Sequence, residues 1–265
     1  MPTVRANGIS INHVIEGPED GPWITFSNSL GTNVTMWDEQ AKIAADAGWR
    51  VLRYDQRGHG GTEAALPPYT FDLVIADVIA LWDALGVKKS VFCGLSMGGS
   101  TGIGLAIEHP DRLTALIACD CRCDSPPGFA ALWDDRIKMA EELGMPGMAD
   151  PTVARWFNPD FLKAHDKDVI EKVRGMIRTT SLNGWIGCSR ALQHIEYRDR
   201  LGEISVPVQF ITGAQDPAAN PEYAGPMVAA IPGAKMAILE PSGHISNMEN
   251  PEQFNAALTA FLSSL

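Results

Sequence analysis

The segment Val91-Phe92-Cys93-Gly94-Leu95-Ser96-Met97-Gly98-Gly99 sets one serine between two glycines, with an apolar run before it and a helical pattern after it. On a tight turn from strand into helix, a serine hydroxyl is pushed out above the strand ends, and only glycines leave room beside it. The Met97 amide then points to the same spot, and the helix N-terminus adds positive potential there. Such a site can attack an acyl carbon and hold the resulting oxyanion. G-x-S-x-G is common by chance in a chain with 25 glycines, so its position between strand and helix carries the weight.

A serine hydroxyl needs a base. Of the six histidines, His13 falls in a first hairpin and His59 in a Gly-rich turn before the serine. His109 ends the helix after it, and His165 and His194 belong to a later helical stretch. His244, in Glu240-Pro241-Ser242-Gly243-His244, follows the last strand, where the order serine, acid, histidine puts the base. The acid belongs on the loop after the preceding strand, where Phe210-Ile-Thr-Gly-Ala-Gln-Asp216-Pro217 offers Asp216 to fix the imidazole tautomer. Asp216 also fits a turn residue before proline, and Asp120 is an alternative acid; chain order favours Asp216. A second oxyanion donor is expected from Asn28-Ser29-Leu30-Gly31-Thr32-Asn33, at the Leu30 amide, with a plain glycine loop as the alternative.

These residues need a frame. Thr3–Ala6 and Ile9–Ile15 flank Asn7-Gly8, a hairpin signal. Strands are expected at Trp23–Asn28, Arg50–Asp55, Ser90–Leu95, Leu113–Ala118, Val208–Thr212 and Lys235–Leu239. Helices are expected at Met36–Ala47, Thr70–Leu85, Met97–Glu108, Pro221–Ala230 and Pro251–Leu262. The alternation predicts an α/β fold, a mostly parallel sheet flanked by helices. From Ser125 to Arg198 no strand appears; the stretch is helical, with breaks at Pro146, Pro151 and Pro159. It reads as a helical cap, residues 125–198, inserted into a core of residues 1–124 and 199–265, roofing a ligand crevice. Trp133, Trp156 and Trp185 are its candidate ligand contacts, against the reading that helical Trp is core.

At 265 residues the chain is one large domain or two small ones, and its 45% apolar content is ordinary for a globular protein. Lys+Arg 21 against Asp+Glu 32 gives a net charge of −11, which argues against a nucleic acid partner. Attraction for an anionic substrate must therefore be local. No run of eighteen apolar residues suggests a membrane span, and Met1–Gly8 has no signal-peptide core. The five cysteines lack framework spacing and read as free thiols of a cytoplasmic protein. Cys119-Asp-Cys-Arg-Cys123 puts alternate thiols ~6.6 Å apart on one strand face, too wide for an easy zinc site, so no metal is expected. No phosphate-loop motif calls for an organic cofactor either. The expected partner is a small-molecule substrate, and a homodimer is possible.

Together these residues resemble the α/β-hydrolase superfamily over almost the whole chain. Asn28-Ser-Leu-Gly-Thr, Arg53-Tyr-Asp-Gln-Arg-Gly-His-Gly, Phe92-Cys-Gly-Leu-Ser-Met-Gly-Gly, Ala154-Arg-Trp-Phe and Gly243-His-Ile-Ser-Asn-Met-Glu look like the bacterial 3-oxoadipate enol-lactonases. That resemblance implies hydrolysis of a small carboxylated enol-lactone in aromatic catabolism. The chain departs from the group after Cys119, where Asp120-Cys-Arg-Cys-Asp-Ser-Pro-Pro-Gly replaces a short Thr/Ala-rich stretch with a basic residue. Arg122 or Arg136 could restore the positive charge as a carboxylate clamp. Equally, Arg122 could pair with Asp120 or Asp124, and Arg136 could face solvent. A general carboxylesterase, a carbon–carbon bond hydrolase, and a non-catalytic binding protein on the same scaffold are the rival readings. Dehalogenases and epoxide hydrolases carry Asp where this chain has Ser96.

Overall fold

A computed structural model describes residues 2–265. β1 (Thr3–Ala6) and β2 (Ile9–Glu16) form a hairpin whose turn residues, Asn7 and Gly8, both have positive φ, as a two-residue primed turn demands. β3 (Trp23–Ser27), α1 (Asp38–Asp46), β4 (Arg50–Tyr54), α2 (Phe71–Leu85), β5 (Ser90–Leu95), α3 (Met97–Glu108) and β6 (Leu113–Cys119) follow in alternation. After four further helices come β7 (Val208–Gly213), α8 (Pro221–Ala230) and β8 (Lys235–Leu239). A one-turn helix α9 (Ser246–Glu249) and α10 (Pro251–Leu262) close the chain. The eight strands lie in the order β1-β2-β4-β3-β5-β6-β7-β8, antiparallel at the β1–β2 and β2–β4 pairs and parallel from β4 to β8.

Neighbouring residues of β3 show why both faces are covered. Successive side chains of a strand point to opposite sides. Thr25 accepts a hydrogen bond from Trp82 Nε1 of α2 at 3.0 Å, whereas the Phe26 ring meets Trp37 at 5.0 Å. Trp37 in turn meets Phe254 of α10 at 6.0 Å, so α1 and α10 cover one face and α2 with α3 the other. Every residue of β5 and β7 is buried, as expected for central strands with helices on both sides.

Between β6 and β7 run α4 (Pro127–Trp156), α5 (Pro159–Ala164), α6 (Val169–Thr179) and α7 (Leu182–Gln193), and α4 packs on α6 and α7. The break expected at Pro146 lies two residues earlier, at Gly144, with φ 65° and ψ 172°, and none occurs at Pro151, where helix continues. Pro146 then falls in the first turn of the second half of α4, where the missing N–H is not needed. Pro159 does start a new helix. Among the described residues no helix is long and apolar enough to cross a membrane.

Candidate active site

Ser96 sits between β5 and α3 at φ 56° and ψ −113°, a conformation few non-glycine residues adopt. The turn is held from three sides. The Ser96 amide donates to Cys119 O at 2.8 Å, Gly98 N to Asn28 O at 3.1 Å, and Ser100 N to Ser96 O at 2.9 Å. A Cβ on Gly94 would lie 2.1 Å from Gly98 O, and one on Gly98 would lie 2.3 Å from Ser27 O. Both flanking positions therefore exclude any side chain.

His244, on the loop after β8, presents Nε2 to Ser96 Oγ at 2.9 Å and Nδ1 to Asp216 Oδ2 at 2.8 Å. Asp216, 1% exposed on the loop after β7, also accepts from the Ala218 amide at 2.8 Å. Burial opposes protonation of His244, and the Asp216 charge and hydrogen bond outweigh it, so the imidazole pKa stands above its ordinary 6.5. A hydroxyl, an imidazole and a buried carboxylate in series can move a proton from the hydroxyl and hold the charge that results.

Asp120 is the second carboxyl here, and its hydrogen bonds among the described residues go elsewhere than the imidazole. Its Oδ1 accepts from Gly213 N at 2.7 Å and its Oδ2 is hydrogen-bonded to Ser246 Oγ. Burial first, then the Asp216 charge, push its pKa up to about 8. On the opposite side, the loop after β3 brings Leu30 to the cavity wall. Asn28 anchors that loop, donating to Tyr54 O at 3.1 Å and accepting from Gln56 Nε2 at 2.6 Å, while Gly31 turns it at φ 80°. Among the described residues, neither the Leu30 nor the Met97 amide donates to a backbone acceptor.

A cavity of about 470 Å³ opens above Ser96 and His244. Trp133, Trp156 and Trp185 line it, as do Arg122 and Arg136. Arg122 is already engaged. Its Nη1 donates to Ala218 O at 2.8 Å, its Nε to Asp124 O at 3.3 Å, and its Nη2 reaches Asp124 Oδ1 at 3.4 Å. Its guanidinium also packs against the Tyr223 and Phe129 rings. Of the two readings open to Arg122, the structure shows the pairing with Asp124, while the residue also lines the cavity. Arg136 differs: among the described residues it pairs with no carboxylate, and it lies over the Trp133 ring at 4.7 Å.

Sequence reasoning gave no role to Arg155, which also lines the cavity. Among the described residues it donates to Pro151 O at 2.8 Å and Thr152 Oγ1 at 3.2 Å. Burial, then the nearby Arg136 charge, pull its pKa down to about 10, and burial alone lowers that of Arg136. Both remain cations at neutral pH, and among the described residues neither pairs with a carboxylate. The buried Trp133 Nε1 beside them has no hydrogen-bond partner among the described residues. The signal was in the sequence, since Arg155 stands directly before a candidate tryptophan.

The α/β-hydrolase fold family matches residues 22–251. The chain belongs to that family. As a family member it is 36% identical to 3-oxoadipate enol-lactonase 2 of Acinetobacter baylyi, over 98% of this chain and 96% of that one. The solved enol-lactonase of Burkholderia xenovorans LB400 superposes with a TM-score of 0.93 at 36% identity, covering 99% of this hydrolase and all of that chain (100%). A thermophilic esterase from Thermogutta terrifontis, solved with malate bound, gives a TM-score of 0.93 at 26% identity over 100% of this chain and 99% of its own. This α/β-hydrolase is a carboxylic ester hydrolase.

Proposed function

We propose that this hydrolase opens a small carboxylated lactone of the 3-oxoadipate enol-lactone type, a substrate of aromatic catabolism, through an acyl-enzyme on Ser96. His244 takes the Ser96 proton as Oγ attacks the lactone carbonyl. Asp216 holds the imidazole in the right tautomer and stabilises the imidazolium. The Leu30 and Met97 amides receive the oxyanion. The ring oxygen leaves as the enol, taking the proton from His244. Water, activated by the same imidazole, then frees the acid and restores Ser96.

The observation that carries the substrate class is the pair Arg136 and Arg155, two half-buried guanidiniums on the cavity wall with no carboxylate partner among the described residues. Burying cations without a counter-ion is costly, and a substrate carboxylate would relieve that cost at the moment of binding. The similarity to enol-lactonases, and to an esterase solved with malate bound, supports an anionic ligand.

The test compares hydrolysis of 3-oxoadipate enol-lactone and a short neutral p-nitrophenyl ester by wild type, Ser96→Ala, Arg136→Gln and Arg155→Gln. Lactone turnover is expected to vanish in Ser96→Ala. Each arginine variant should lose about 10–100-fold in kcat/KM on the lactone, the worth of one charged hydrogen bond, and little on the ester. Ester turnover that exceeds lactone turnover and is indifferent to both arginines would make the protein a general carboxylesterase instead.

A further inference from the structure

The end of α4 is tied to the loop that carries His244 by hydrogen bonds the proposed chemistry does not use. The His244 amide donates to Trp156 O at 2.7 Å, and the Trp156 ring lies 5.9 Å from the imidazole. Glu249, only 9% exposed, completes the contact from α9. Its Oε2 accepts from Gly243 N at 2.6 Å and its Oε1 from Asn158 N at 2.8 Å. One carboxylate thus bridges two backbone segments, one from the cap and one beside the imidazole. No cation pairs with Glu249 among the described residues, so both oxygens serve these two amides.

The chemistry of the bridge accounts for the residue types. Two N–H donors need two acceptors, and an ionised carboxylate is the one side chain that is acceptor at both ends. A Cβ at Gly243 would lie 2.4 Å from Trp156 O and 2.9 Å from Glu249 Oε2, so the close approach requires glycine.

We infer that Glu249 is a positioning residue, whose carboxylate clamps the cap segment 156–158 onto the backbone of Gly243-His244 so that cap and imidazole keep one fixed relation. The inference rests on the reading of His244 as the base. Its consequence is geometric. Arg155 is bonded to Trp156 in the chain, so the clamp sets where a carboxylate anchored in the cap lies relative to the imidazole. A misplacement of about 1 Å in such a relation can cost ~10²-fold in rate.

The experiment uses Glu249→Gln, Glu249→Asp and Asn158→Pro in the full chain. Glutamine keeps the volume and puts an NH2 against one of the two amides. Asn158 has φ −63° and ψ 146°, dihedrals that proline adopts, and Asn158→Pro puts a ring Cδ where the clamped N–H was, so it breaks the same bridge from the cap side and pushes the Glu249 carboxylate off it. The lactone and the neutral p-nitrophenyl ester are assayed together. In parallel, the downfield proton signal of the His244 Nδ1 hydrogen bond to Asp216 is followed by NMR. Glu249→Gln and Asn158→Pro should each lower kcat on the order of 10–100-fold with KM little changed, and should broaden or remove the downfield signal. Glu249→Asp should restore part of both. Wild-type kcat and an intact signal in folded Glu249→Gln and Asn158→Pro would overturn the clamp. A wild type that hydrolyses neither substrate would overturn the functional reading instead, and the NMR signal would still decide the clamp.

Discussion

Two buried carboxyl groups lie at the site, and their hydrogen-bond partners separate their roles. Asp216 touches the imidazole, whereas the Asp120 pKa is pushed up to about 8, by burial first and then by the Asp216 charge. This has a consequence for stability. Between the ordinary aspartate value of 3.8 and about 8, folded Asp120 stays protonated while the unfolded chain has lost the proton. The folded state then binds more protons, so this group's contribution to stability falls as pH rises through that window. Asp120→Asn keeps an uncharged group at the same hydrogen bonds and removes the effect. Thermal melts of the variant should therefore decline less than wild type from about pH 4 to about pH 8; parallel curves would mean that Asp120 is ionised throughout. His244 gives the complementary prediction. Because its pKa is raised above 6.5, kcat/KM should fall on the acid side along a limb centred above that value. Asp216→Asn should move the limb to lower pH and reduce kcat by about 10⁴-fold. Ser96, His244 and Asp216 were legible in the sequence because motif and chain order locate them. The unpaired state of Arg155 was not, because it depends on which acids reach it across the fold. The same holds for the partners of Arg122, its neighbour Asp124 and the distant Ala218 O, which only the fold brings together.

Elements reach the site through close backbone contacts. Strand and helix positions followed from periodicity and caps: β5, α3, α8, β8 and α10 lie where the pattern put them, and Thr70 caps α2 through the Leu73 amide. The kink in α4 was misassigned to prolines because a lone glycine in a helical pattern is a weaker sequence signal than a proline, although only the glycine takes the positive φ that breaks the helix. A second glycine contact seats the cap. Gly58, after β4, and Gly184, in α7, pack backbone to backbone: a Cβ on Gly184 would lie 2.5 Å from Gly58 Cα and 2.5 Å from Gly58 O. Ser181 N also donates to Gly58 O at 3.1 Å. Gly184→Ala should push α7 away from this loop and carry Trp185 out of the cavity wall. Overpacking of this kind costs roughly 1–3 kcal/mol. The expected outcome is a lower melting temperature together with a raised KM for the lactone. A variant with wild-type melting and KM would show that α7 can shift without disturbing the site.

At the scale of the whole molecule, the charge opposes the proposed ligand. The chain carries −11, so an anionic lactone would approach against a repulsive field and meet attraction locally, at Arg136 and Arg155 on the cavity wall. The two interactions differ in range. Repulsion from exposed acids acts over the Debye length, about 30 Å at 0.01 M salt and about 10 Å at 0.1 M. Attraction inside a half-buried cavity acts over a few ångströms and is screened much less. Added salt therefore removes the unfavourable part first. In wild type, kcat/KM for the lactone should rise between about 10 and about 100 mM salt, while that for the neutral ester stays flat. Arg136→Gln and Arg155→Gln should keep the rise at a lower absolute value, since the distant acids are untouched. A wild-type value that falls with salt would mean that the two arginines project their charge out of the cavity mouth and steer the substrate in against the net charge of the chain.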